Sequence, residues 1–94
     1  MRVAEVIGTV TLSRSHPSLA GFCFVIGVPY SLRALRAGQP DGEDLIILDR
    51  LSAGHGSQIG FTEGGEAAVP FLPERKPVDA YCACLLDQLV LADT

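Results

Sequence analysis

Two histidines, His16 and His55, and three cysteines, Cys23, Cys82 and Cys84, carry most of the chemical potential of this 94-residue chain. A nucleophilic site needs a nucleophile, a base and a group that orients the base, all in one place. Ser18, Ser57, Cys23, Asp49 and Asp79 can nominally fill those roles. The chain has neither a nucleophile-elbow motif nor a family cysteine signature, so no catalytic residue is assigned. Cys82 and Cys84 stand two apart, which on a strand puts both sulfurs on one face. Zinc sites use wider gaps and a second ligand pair, and no second pair follows. The cysteines read as reduced core thiols, with neither metal nor cofactor expected. Gly54-His55-Gly56 with Gly60 has the glycine density of a phosphate loop. A dinucleotide fingerprint needs a helix after it, and a P-loop needs Lys-Ser/Thr. A strand pattern follows instead. The alternative is a tight turn where backbone approaches a neighbouring subunit too closely for side chains.

Composition narrows the partners. Hydrophobic residues make up 48% and charged residues 19% of the chain, below the roughly 25% charged of an average domain. That excludes intrinsic disorder. A chain this short also leaves much of its surface outside, and exposed apolar area marks interfaces. Seven basic against eleven acidic residues give a net charge of -4. The basic residues are scattered, so nucleic acid is a poor partner. Glu5 interrupts any signal-like start, and no apolar run approaches the ~18–20 residues of a membrane span. Residues 1–94 read as one cytoplasmic domain with no membrane contact.

The elements that must position these residues are mostly strands. Arg2 to Leu12 alternates, with Ala4, Val6, Gly8, Val10 and Leu12 on one face; Gly8 suggests a bend. Phe22 to Val28 is apolar on both faces, which requires a core on one side and another cover, such as a subunit, on the other. Ser31 to Ala37 reads as a short helical turn with Ser31 as N-cap and Gly38 as its stop. Pro40-Asp41-Gly42 is a turn, and Glu43 to Leu51 a largely buried strand. Ser52 to Gly56 is a tight loop and Gln58 to Thr62 a short strand. Glu66 to Ala68 suggests one helical turn; three prolines mark Val69 to Pro77 as an irregular surface loop. Val78, Ala80, Cys82, Cys84 and Leu86 share one face of a last full strand. Gln88 to Thr94 keeps Leu89-Val90-Leu91 and reads as a final strand or extended arm. About five short strands with few helices predict an all-β fold, a small five-stranded barrel with short helical turns and a C-terminal arm.

Taken in order, these segments resemble a known family. Val6-Ile7-Gly8-Thr9-Val10 followed by Pro17-Ser18-Leu19-Ala20-Gly21 is similar to the opening strand and Pro-Ser-Leu-x-Gly loop of the EutN/CcmL family of bacterial microcompartment vertex proteins. Ile46-Ile47-Leu48-Asp49 leading into Ser52-Ala53-Gly54-His55-Gly56 resembles its central strand and Gly-Ala-Gly-x-Gly loop. Gly64 to Ala68 resembles the turn that follows, and Pro77-Val78-Asp79-Ala80 its last strand. Ser52 stands where the family commonly has Gly, and Ser57 where it often has Glu. The resemblance implies an OB-like barrel forming a homo-pentamer. Such pentamers cap the vertices of a shell otherwise tiled by hexameric shell proteins. It makes Ser52, Ala53, Gly54, His55 and Gly56 the candidate subunit-interface or axis loop, together with Phe22–Val28 and the C-terminal Leu-Val-Leu. The alternative for such a barrel is an OB-type module binding single-stranded nucleic acid or an oligosaccharide, which uses basic grooves and exposed aromatics.

Overall fold

Val, Ile and Thr stiffen the chain at χ1 and suit a pleated surface, and they build the first strand, β1 (Arg2–Val10). The computed structural model describes residues 1–11, 17–19, 21–74 and 77–91; Leu12 and His16 lie outside them. Four more strands follow: β2 (Cys23–Pro29), β3 (Leu45–Asp49), β4 (Gln58–Glu63) and β5 (Ala80–Leu85). They close into a barrel in the order β1-β2-β3-β5-β4. Every pairing is antiparallel except β3 with β5, which run parallel and meet at Leu48 and Tyr81. This is the closed five-stranded barrel that the strand count predicted, of OB type.

Inside it pack Ala4, Val6, Val25, Ile47, Ala53, Ile59, Phe61, Ala80 and Cys82. Gly27 has a packing reason to be glycine. A Cβ there would sit 2.6 Å from Ile47 Cδ1 and 3.4 Å from Ala4 Cβ, so its absence lets Ile47 fill the barrel.

Two irregularities overturn the simple alternation. In β1, Ala4 and Val6 face Pro29 and Gly27, but the register then skips Ile7. Thr9 consequently pairs with Val25 and Val10 with Phe24. Directly opposed residues share a face. Val10 therefore leaves the face of Ala4 and Val6 and joins Phe24 outside, contrary to the uniform face expected for the strand. The expected bend at Gly8 is this bulge. In β5, Cys82 pairs with Phe61 and Cys84 with Gly60, skipping Ala83. Ile46 also differs from the largely buried strand expected, being 49% exposed in the middle of β3.

A second apolar cluster covers the outside of the barrel. It joins Leu48, Ala67, Phe71 and Val78 to the half-buried Leu19, Phe22, Phe24 and Tyr81. Its cover is the short helix α2 (Gly65–Ala68) and the 3-10 turn Val69–Phe71. The Phe71 ring meets Phe22 at 5.6 Å and Tyr81 at 5.4 Å, both edge to face. The Arg50 guanidinium lies 5.6 Å from the Phe71 ring and 6.0 Å from that of Phe22. The stretch read as an irregular surface loop thus contributes a buried aromatic.

Helix α1 (Leu32–Ala37) forms where its caps predicted. Ser31 Oγ accepts the Ala34 N–H at 3.1 Å, and Gly38 stops the helix at φ 82°. The Asp41 carboxylate accepts the Ser31 hydroxyl at 2.7 Å and its N–H at 3.0 Å, which lowers the Asp41 pKa. After β5 the Leu86 N–H donates to the Gln58 carbonyl at 2.9 Å. Residues 88–91 join no strand, unlike the final strand that was one of the two forms expected for residues 88–94; residues 92–94 lie outside the described ones. No helix among the described residues is long and apolar enough to cross a membrane.

Candidate assembly interface

The candidate loop begins at a buried carboxylate. Asp49 ends β3 on the inner side of the barrel and is 5% exposed. One oxygen, Oδ1, accepts the Leu51 N–H at 2.9 Å; Oδ2 accepts the Ala53 N–H at 2.7 Å. Charge-assisted bonds of this kind are the strong ones, and they bend the chain around Ser52. Ser52 sits at φ 60°, in the left-handed region that favours glycine. That conformation would suit the glycine that the resemblance leads one to expect at this place. Ala53 then drops into the barrel core.

The far side of the loop is tied to β1. Ser57 N–H donates to the Gly54 carbonyl at 3.0 Å. Gly56 N–H donates to the Val6 carbonyl at 2.7 Å, and the Ser57 carbonyl accepts the Val6 N–H at 2.9 Å. Gly54, His55 and Gly56 are left exposed at the tip, while Ala53 is buried and Ser52 exposed. The two tip glycines differ. Gly56 is required by its φ of 87°. Gly54 has no positive φ, and a Cβ there would find only Ser57 Oγ, at 3.9 Å. Among the described residues nothing demands glycine at position 54.

The other candidates disperse. Asp49 gives both oxygens to the loop backbone. Cys23 opposes Asp49 across β2 and β3 and is exposed. Contrary to the shared face that their spacing predicted, Cys82 and Cys84 lie on different faces, because the register skips Ala83 between them. Cys82 packs in the core, where burial, with the Asp49 carboxylate beside it, pushes its thiol up to about 12. Cys84 lies outside, over Gly60, with its sulfur 3.9 Å from that of Met1. Only Cys82 is the buried thiol expected of all three. Among the described residues no three His, Cys, Asp or Glu side chains gather as a metal site would need. Arg2 pairs with Glu63 at 2.8 Å, and Arg50 lies on its two rings. No basic groove of the nucleic-acid-binding kind forms from these residues.

What the sequence analysis missed is the role of Asp49 as the loop's anchor. An Asp followed two and four residues later by turn backbone is the available signal. A family model described as "Ethanolamine utilisation protein EutN/carboxysome" matches residues 1–87. The chain belongs to the EutN/CcmL family. It is 31% identical over 88 residues to the carboxysome shell vertex protein CcmL of Gloeobacter violaceus, covering 93% of this chain and 83% of that one. The solved structure of Gloeobacter violaceus CcmL superposes with a TM-score of 0.84 at 28% identity, covering 97% of this chain and 90% of the other. The GrpN pentameric microcompartment shell protein of Rhodospirillum rubrum shares the fold, with a TM-score of 0.82 at 23% identity over 98% and 100% of the two chains. The EutN/CcmL barrel is thus common to all three, and the loop from Asp49 to Ser57 lies within the matched region.

Proposed function

We propose that this chain is the vertex subunit of a bacterial microcompartment shell, in which five copies form a ring and fill a corner. The carrying observation is the likeness to a carboxysome shell vertex protein over 93% of the chain. A corner needs fivefold units among sixfold ones, so the neighbours of the ring are hexameric shell proteins. The whole of 1–94 serves as one structural domain rather than an enzyme, in a shell lying in the cytoplasm.

The physical properties of the chain support assembly. A compact 9.9 kDa monomer exposes about 5,200 Å² by the scaling of surface with mass. This chain exposes 6240 Å², with Ile7, Ile46, Leu51 and Leu85 each more than 40% exposed. A ring is a head-to-tail assembly that closes, and it buries such surface without a symmetric patch. The loop Ser52–Gly56 is the proposed contact between copies or around the axis. Its support is Gly54, whose missing side chain has no reason among the described residues of one copy.

Native mass spectrometry at micromolar concentration tests the reading. A five-chain species is expected, and a monomer or dimer overturns it. Co-expression with a hexameric shell protein should give closed particles, with open corners when this chain is omitted. Gly54→Val should leave the melting of a single copy nearly unchanged and weaken the ring. An unweakened ring removes the loop from the interface.

A further inference from the structure

We propose that the backbone edge of β1 beyond Val6 receives the extended segment 88–91 of a second copy as an added strand. The inference rests on the ring reading and specifies how neighbouring copies are joined.

β1 is paired on both sides only along its first half. Arg2 to Glu5 match Phe61 to Gln58 of β4, and Val6 bonds with Gly56 and Ser57. There the β3–β4 loop turns away. β1 runs on to Val10 paired with β2 alone. Among the described residues, nothing takes the other backbone edge from Ile7 to Val10. Sheet edges are normally blunted by Lys, Pro or a cover. This one carries neither residue, and Ile7 is 42% exposed on it. A groove of about 740 Å³ opens beside the edge. Thr9, Val10 and Thr11 line it together with Cys23, Val25, Asp49 and Ser52.

The same chain holds a segment of matching kind. Leu89-Val90-Leu91 is β-prone and apolar, joins no strand, and leaves Val90 79% exposed. Four extended residues span about 13 Å, the reach of Ile7 to Val10. The segment departs from the end of the barrel where β1 loses β4, since Leu86 bonds to Gln58 and Gln58 opposes Glu5. Strand addition would satisfy the free backbone groups and bury alternate side chains in the groove. Each copy offers one edge and one tail. Such a contact repeats head to tail, as a closing ring requires. None of residues 88–91 lines the groove of its own copy, and the occupant proposed is therefore a second copy.

Hydrogen exchange on the assembled full-length protein, read by mass spectrometry, is the decisive measurement. The amides of Ile7–Val10 and of residues 88–91 should exchange at least about tenfold more slowly than an unstructured chain. Rings whose 88–91 amides exchange at the unstructured rate overturn this inference and leave the ring reading standing. A full-length chain that is monomeric at micromolar concentration overturns both. A Val90→Cys, Cys84→Ser variant then identifies the donor. Mild oxidation should link position 90 to Cys23 of another copy and give a ladder of joined chains. The same link confined to one chain overturns the second-copy assignment.

Discussion

The connections that follow β3 and β4 are held by opposite means. The loop from Arg50 to Ser57 is held by polar atoms: two oxygens of Asp49 at one end and the backbone of Val6 at the other. Only Ala53 of its side chains enters the core, so the tip is free to meet another molecule. The connection from Gly64 to Asp79 is held by an aromatic plug. Phe71 enters the outer cluster between Phe22 and Tyr81, and the backbone around it follows. A polar anchor shapes a loop while leaving its outward face uncommitted. An apolar anchor turns a loop into part of the core.

That contrast can be broken by removing each anchor. Phe71→Ala should cost about 3 kcal/mol, the lower end for a buried Phe, because two ring contacts and the Arg50 stack go together. Urea unfolding checks it; a loss under 1 kcal/mol, within the range of an ordinary surface change, would make the plug incidental. Asp49→Ala should cost about 2 kcal/mol, since the buried Ala53 N–H is left without an acceptor. Its exchange should quicken through Leu51 to Ser57 and stay unchanged at Phe71, and a spread to Phe71 would dissolve the contrast. Ser52→Gly should gain about 0.5–1 kcal/mol, the relief of the left-handed conformation at φ 60° less the entropy cost of glycine. A loss instead would assign the hydroxyl a contact in the assembly.

The smallest effect is zero at neutral pH. The Cys82 thiol ionises ordinarily near 9.0 and in the fold at about 12. Folding therefore favours the protonated thiol. That contribution is whole below pH 9 and is lost progressively as pH rises towards 12. The stability difference between the wild type and Cys82→Ala should be constant below pH 9 and shrink above it. Parallel curves would show that burial beside Asp49 does not govern the thiol. Buried Cys82 should resist alkylation in the folded protein.

Much of this was legible locally. Ser31 and Gly38 announced α1 by their capping chemistry, and alternation located the strands to within a few residues. The glycines of the candidate loop marked a tight turn. The prolines around Phe71 hid the second cluster: they signal irregular backbone correctly, but irregular backbone says nothing about burial. The two bulges were equally invisible. Alternation assumes that every residue has an opposite partner, and at Ile7 and Ala83 none is given.

By itself, the sequence determined the number and kind of elements, the caps, the turns and the surplus of apolar residues, because each follows from φ preferences and nearest-neighbour spacing. Only the tertiary structure decided which way Val10 and Cys84 face, that β5 enters beside β3, that Phe71 is core and that β1 keeps an open edge. Those outcomes depend on which distant strand lies opposite. Closing the barrel fixes that pairing for all five strands together, with register shifts that no single strand encodes.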